Sequence, residues 1–281
     1  MAKQKYFISC KDYLVSGEEF DLFWSTEYEI LETKPVPRNL PFYYSSDNYI
    51  SHTDSKSDFT EKLYQRVKTF MLSKKLGWIK NYKTSGKLLD VGAGTGDFLI
   101  EAKKHAFDIY GVEPNETARG VALHKDVVLE KSFEELKDLK FDVISMWHVL
   151  EHVADQEKEI TSLYNLLEED GVLVVAVPNF RSYDADYYKE YWAAYDVPRH
   201  LYHFSQNGIA EIFSKFNFEL VEKRPLIFDS YYVSLLSEKH KAASWKYLKA
   251  FYRGWMSNFK ARSSSEYSSL VYFFKKREKG L

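Results

Sequence analysis

The stretch Leu88-Leu89-Asp90-Val91-Gly92-Ala93-Gly94-Thr95-Gly96-Asp97-Phe98 decides the fold. An apolar run ends on an acid, passes three glycines at alternating positions and enters a helical pattern. Glycine takes positive φ readily and lets a ligand approach the backbone, so a strand opening onto such a turn can hold a nucleotide-like group. A phosphate-cradling P-loop would end in Gly-Lys-Ser/Thr, and none is present. A dinucleotide fingerprint wants its third glycine at position 97, where Asp97 stands. The pattern acid-x-Gly-x-Gly-x-Gly fits throughout.

Around this turn, short buried strands are predicted at 87–91, 109–113, 127–130, 141–147 and 172–177. Helical stretches at 96–105 and 155–168 fall between them. Alternation of this kind implies a parallel sheet covered on both faces, with right-handed crossovers. Upstream, residues 1–55 are short apolar pieces broken by Pro35, Pro37 and Pro41, read as strands and turns. Phe59, Leu63, Val67 and Phe70 recur at steps of three and four, which predicts an amphipathic helix over 56–82. Downstream, Ser205 caps a helix to 216, strands follow at 218–228 and 269–275, and 231–262 is an aromatic, basic, helical insertion.

The chain has 281 residues, 45% hydrophobic and 28% charged, enough apolar mass for a real core. Aromatic residues make up 17%, which suits a pocket lined with flat rings as well as ordinary packing. A net charge of −2 gives no reason to expect nucleic acid as a partner. The distribution is uneven: residues 86–180 hold 9 bases and 19 acids, whereas 238–281 hold 11 bases and 3 acids. A single cysteine, Cys10, excludes an intramolecular disulfide. No run of apolar residues is long enough to span a membrane, and a cytoplasmic location is expected.

Seventeen residues after Gly96, Gly111-Val112-Glu113-Pro114 places an acid at the end of the second strand. A carboxylate there can accept both hydroxyls of a ribose. With these two motifs the chain resembles the class I S-adenosylmethionine-dependent methyltransferases. Ser132-Phe133 occupies their adenine-contact position. Residues 142–153, Asp-Val-Ile-Ser-Met-Trp-His-Val-Leu-Glu-His-Val, are similar to the fourth-strand segment of the subgroup that contains ubiquinone-biosynthesis O-methyltransferases. Residues 195–205, Tyr-Asp-Val-Pro-Arg-His-Leu-Tyr-His-Phe-Ser, resemble that subgroup's segment on the acceptor side.

The resemblance implies an α/β fold with a doubly wound, mostly parallel, seven-stranded Rossmann-like sheet whose last strand is antiparallel. It divides the chain into an arm (1–55), an amino-terminal helix or lid (56–85), a cofactor-binding core (86–229), a helical insertion that serves as acceptor lid (230–265) and a final strand (266–281). The implied cofactor is S-adenosylmethionine, leaving as S-adenosylhomocysteine. Its expected contacts are Asp90, Gly92, Ala93, Gly94, Gly96, Phe98, Glu113, Pro114, Ser132, Phe133, Met146, Trp147 and His148. Tyr195, Arg199 and His200 are expected on the acceptor, a small molecule or saccharide methylated at oxygen.

A hydroxyl acceptor must lose a proton, and imidazole is the natural base near neutral pH. His148 and His200 are the candidates. Against them stand a cofactor contact without proton transfer for His148 and a loop-fixing hydrogen bond for His200. Arg199 could equally pair with Asp196. Glu151 and His152 carry metal-ligand chemistry, but helix capping is the default and no metal is expected. Relatives often begin with two Cys-x-x-Cys pairs; here those positions read Phe7, Cys10, Ser25 and Tyr28, a knuckle without its metal in which Cys10 is inert.

Tyr49, His52 and Tyr64 are candidate lid residues, with packing of the arm as the competing reading. Trp245, Tyr247, Phe251, Tyr252, Trp255 and Phe259 alternate with Lys246, Lys249, Arg253 and Lys260. A docked helix with buried rings is preferred here to peripheral contact of 245–262 with an anionic membrane. The rival functions are a binding module that holds the cofactor without turnover and a nicotinamide-dependent oxidoreductase.

Overall fold

The computed structural model describes residues 4–44 and 59–278, with side chains of the second stretch from Arg66 onward. The expected lid residues Tyr49 and His52, and the side chain of Tyr64, lie outside the described residues. Three strands open the chain, β1 (Tyr6–Lys11), β2 (Glu19–Trp24) and β3 (Ile30–Lys34), joined as an antiparallel meander. Helix α1 (Phe59–Ile79) leads into β4 (Gly86–Val91), α2 (Asp97–Lys103), β5 (Phe107–Val112), α3 (Glu116–Leu123), β6 (Phe141–Trp147), α4 (Gln156–Leu166) and β7 (Leu167–Pro178). A short helix α5 (Tyr183–Tyr188), strand β8 (Tyr202–Phe204), helix α6 (Gln206–Lys215) and strand β9 (Phe218–Pro225) follow. Helices α7 (Asp229–His240) and α8 (Lys246–Ser264) precede the last strand, β10 (Ser269–Lys276).

The main sheet runs β5-β4-β6-β7-β10-β9. Strand β4 lies parallel to β5 and β6, β6 is parallel to β7, and β10 is antiparallel to both its neighbours. The sheet is Rossmann-like with a reversed last strand, as expected, but it has six strands rather than seven. The segment read as a strand at 127–130 contributes only an isolated bridge between Val112 and Glu130. It sits at the sheet edge, where it would have a partner on one side only.

Strand alternation sorts the apolar side chains into two layers. Leu89, Val91, Ile144, Met146, Leu173, Val175 and Val177 enter one core, which α6 covers with Ile209, Ile212 and Phe213. Leu88, Val143, Val172, Val174 and Ala176 enter the other, against Phe98 and Leu99 of α2 and Leu76, Trp78 and Ile79 of α1. The face of α1 that docks is therefore set by its last turns. Phe70, expected on the buried stripe, is 55% exposed and meets Phe228 edge-on.

The arm is built into the core through strand β8. Strand β8 adds to β3 antiparallel, pairing Ile30 with Phe204 and Leu31 with His203, so arm and core share a four-stranded sheet. Cys10 is buried there among Phe20, Leu22 and Leu31, and burial pushes its thiol far up. Phe7 meets Trp24 and Phe180 edge-on.

Candidate active site

Strand β4 delivers Asp90 to the carboxyl edge of the sheet, where the chain turns through Gly92, Gly94 and Gly96 at φ of +67°, +55° and +77°. Non-glycine residues adopt that region with strain. A Cβ at Gly92 would lie 2.4 Å from a Val149 methyl, whereas one at Gly94 would meet nothing within 4 Å. The Cα of Gly94 thus has open space on its side-chain side, where a bound group could approach. Its N–H donates to Glu113 Oε2 at 2.8 Å, and the Asn115 N–H donates to Oε1 at 2.8 Å. Two carboxylate oxygens offer about four acceptor positions in all, so Glu113 can still take a pair of hydroxyls. Arg119 clamps the carbonyls of Glu113 and Pro114 at 2.8 and 2.9 Å.

Asp97, at the position a dinucleotide site would give to glycine, is claimed by Lys68 at 2.7 Å and Lys125 at 2.9 Å. Despite burial, the two ammonium groups hold its carboxyl below the usual range.

Asp90 is buried and accepts a hydrogen bond from Ser145 Oγ at 2.6 Å. Burial pushes its carboxyl up to about 7, against the opposing effects of Ser145 and the Lys75 ammonium. Lys75 of α1 lies 4.2 Å from the centre of the Trp147 ring. Burial lowers its pKa, while Asp229 and Asp90 pull the other way. The sequence reading missed Lys75, although a lysine near the docked end of a helix predicted to be amphipathic was a usable signal. Trp147 Nε1 is buried with no acceptor in reach among the described residues. An open glycine cradle, an unmatched donor and a buried carboxylate together fit an elongated, polar, cationic ligand.

The other expected cofactor contacts divide. Ala93 packs part-buried on the second core, and Phe133 part-buried on the first. Ser132 caps the turn that starts at Phe133, accepting from the Glu134 N–H at 3.3 Å. The side chains of Phe98 and Met146 are both buried, Phe98 edge-on to Trp147 at 5.3 Å, because their positions on α2 and β6 point into the cores.

His148 stands at φ +59° just beyond β6, its N–H donating to the Ala176 carbonyl at 2.9 Å. The imidazole lies between two acids: Nε2 donates to Asp229 Oδ2 at 3.1 Å, and Nδ1 is 3.4 Å from Glu151 Oε1. Burial opposes the charge, yet the two carboxylates raise the pKa to about 9. So held, His148 is an imidazolium. Asp229 comes from the start of α7, 81 residues away, and nothing local in the sequence signals the pairing.

Glu151 is fully buried, and beyond His148 neither of its oxygens has a hydrogen-bond donor among the described residues. Ligand-capable atoms of Glu151, His152 and His200 lie within 4.8 Å of one another. His152 Nδ1 is tied to the Arg199 carbonyl at 3.0 Å and His200 Nδ1 to the Ala194 carbonyl at 2.9 Å. The His200 contact requires a proton on Nδ1, whereas His152 Nδ1 also lies 3.1 Å from the Tyr44 hydroxyl, which reaches the same Arg199 carbonyl at 3.2 Å. Burial and neighbouring His200 push His152 down to about 4. These three side chains could hold a divalent cation.

Arg199 takes the alternative partner, Asp196, and Tyr195 packs in the interior. The Arg199 guanidinium is 1% exposed, and its donors are taken by Asp196 at 2.6 and 3.0 Å, Asp12 at 3.0 Å and the Tyr43 carbonyl at 3.2 Å. It fastens the arm to the core. Tyr195 is buried edge-on to Trp192 and His203. Of that set His200 belongs to the histidine cluster, and Arg199 touches it through its carbonyl.

Residues 59–223 match the family model described as a methyltransferase domain. Among curated proteins, a ubiquinone/menaquinone biosynthesis C-methyltransferase of Campylobacter jejuni is 25% identical over 144 residues, covering 47% of this chain and 57% of that one. A ubiquinone biosynthesis O-methyltransferase of Haemophilus ducreyi is 35% identical over 108 residues, covering 33% and 45%. The chain thus spans about half the length of these relatives. Among solved structures, the magnesium protoporphyrin IX methyltransferase of Synechocystis shares the fold with a TM-score of 0.55 at 16% identity, over 84% of this chain and 97% of that one. A Haemonchus contortus phosphoethanolamine N-methyltransferase does so at 0.55 and 18%, over 88% and 62%.

Proposed function

The chain belongs to the methyltransferase domain family, and from that premise we propose that it transfers the methyl group of S-adenosylmethionine to an oxygen of a small-molecule or saccharide acceptor. The observation that carries the reading is the clasp of Glu113 on the Gly94 N–H beside the buried acid Asp90. Bound there, the cofactor supplies an electrophilic methyl on a sulfonium. Glu113 takes the ribose hydroxyls, the Ser132–Phe133 turn flanks the adenine, and Asp90 faces the charged amino end. Trp147 and His148 border the methionine part. Most of the rate then comes from exclusion of water and alignment of the acceptor atom. His148 places positive charge where the acceptor oxygen turns anionic. His200, its Nδ1 occupied, offers the lone pair of its other nitrogen to the acceptor hydroxyl.

Calorimetric titration of S-adenosylmethionine, with NADH as control, tests the cofactor. Binding of the first alone is expected, and Glu113→Ala should weaken it roughly ten- to a hundredfold, the worth of one or two charge-assisted hydrogen bonds. Equal affinity in the variant would remove Glu113 from the ribose. Release of S-adenosylhomocysteine in an acceptor screen separates turnover from mere binding.

The unmatched carboxylate of Glu151 favours a second, metal-assisted reading. Two imidazoles and one buried carboxylate make a donor set suited to zinc or a similar divalent ion, which would polarise the acceptor oxygen. Zinc titration should then show one site that His152→Ala abolishes. No binding above that of the variant would dismiss it.

A further inference from the structure

Helix α8 seats itself on the protein with small side chains and turns its large ones to solvent. Its buried residues are Ala250, Gly254, Ser257 and Ala261. They bring α8 close against α7: a Cβ at Gly254 would come within 2.8 Å of Tyr231 Cα. Polar bonds fix the seat, from Ser257 Oγ to Asp184 at 2.6 Å and from Asn258 Nδ2 to the Ile227 carbonyl at 2.8 Å. On the other side Trp245 is 77% exposed, Leu248 65%, Phe251 64%, Trp255 45% and Phe259 53%. This overturns the expectation of a docked helix with buried rings.

A contiguous apolar surface of this kind marks something that covers it. The charge around it indicates what. Lys246, Lys249, Arg253, Lys260 and Arg262 lie on the same helix, which contains no acid. Beside the rings is an open groove of about 340 Å³ bordered by Lys241, Lys249 and Arg253, together with Tyr187 and Tyr252. Its one acid, Glu238, accepts from Tyr188 at 3.0 Å. Lysine is depleted at protein–protein interfaces, whereas interleaved rings and bases suit a headgroup layer, where flat amphipathic rings settle beside phosphates. No helix of the described residues is long and apolar enough to cross a membrane, so contact would be lateral.

We propose that the exposed face of α8 docks on an anionic lipid bilayer, with its rings in the headgroup layer and its bases, together with the groove, on lipid phosphates. Helix α7 packs against α8 and begins at Asp229, the partner of His148. A docked surface therefore adjoins the acceptor side of the candidate site. The inference goes beyond methyl transfer and stands without it.

The test is co-sedimentation of the full chain with phosphatidylcholine vesicles, with and without phosphatidylglycerol. Binding to the anionic vesicles alone is expected, reversed by salt and accompanied by a blue shift of tryptophan fluorescence. Joint Lys249→Glu, Lys260→Glu and Arg262→Glu should lower partitioning by about tenfold or more, each base near the surface contributing severalfold. Trp255→Ser with Phe259→Ser should lower it too, and circular dichroism should stay unchanged because every altered side chain is exposed. Three results would overturn the proposal: no pelleting, pelleting indifferent to lipid charge, or variants that bind like the parent. A dimer by light scattering that the ring variants dissolve would assign the face to a second copy of the chain instead.

Discussion

Asp90 shows how one residue can serve a site at the expense of the fold. Its carboxyl is nearly free of solvent, and its pKa of about 7 compares with 3.8 for the unhindered group. The folded state therefore holds its proton more tightly than the unfolded chain. Stability should fall as pH rises from about 4 to about 7 and then level off, a loss on the order of 4 kcal/mol. Asp90→Asn keeps an acceptor for Ser145 and removes the titration. Urea unfolding should show the variant more stable than the parent at pH 8, with the gap closing towards pH 4. The same substitution should weaken S-adenosylmethionine, because the charge that destabilises the empty fold is the one proposed to meet the ligand's ammonium. A constant gap across pH would show that burial does not govern this carboxyl. The triple-glycine turn was legible because backbone geometry is a local demand. The state of Asp90 was not, since desolvation depends on what packs around it.

At the level of elements, the arm is fastened by bonds that cross most of the sequence. Thr33 Oγ1 donates to the His200 carbonyl at 2.6 Å and lies 3.0 Å from His203 Nε2. Arg199 joins Asp12 of the arm to Asp196 of the loop that carries His200. Arg199→Ala would strip the cation from the fully buried Asp12 carboxylate and from the partly exposed Asp196, a defect that typically costs about 3–5 kcal/mol. Chemical denaturation should register that loss, and protease should cut the arm sooner in the variant. Equal stability would mean that water reaches the pair and replaces the guanidinium. The sequence offered Arg199 either an anionic acceptor or Asp196, and the structure pairs it with Asp196. Its role as a fastener follows only from Asp12, 187 positions away.

For the molecule as a whole, a ligand that binds only the folded state stabilises it by mass action. Saturation at about a hundred times Kd adds about 2.7 kcal/mol. S-adenosylmethionine should accordingly raise Tm by several degrees for a chain of this size while NADH leaves it unchanged. In Glu113→Ala the shift at equal concentration should shrink. A shift from NADH of equal size would return the oxidoreductase reading.

The amino-acid sequence alone determined the alternation of strands and helices, the glycine turn with its paired acid and the helical insertion. These features are local: a period, a cap, a backbone angle or a motif of a few residues suffices to specify each. The tertiary structure decided the rest. It reduced residues 127–130 to an edge bridge, set His148 between Asp229 and Glu151, and gathered Glu151, His152 and His200 into one cluster. It also turned the rings of α8 outward, since the small residues Ala250, Gly254, Ser257 and Ala261 offered the closer approach to α7. Which groups converge, and which lose their water, depends on packing between distant segments, and no periodicity in the chain encodes that.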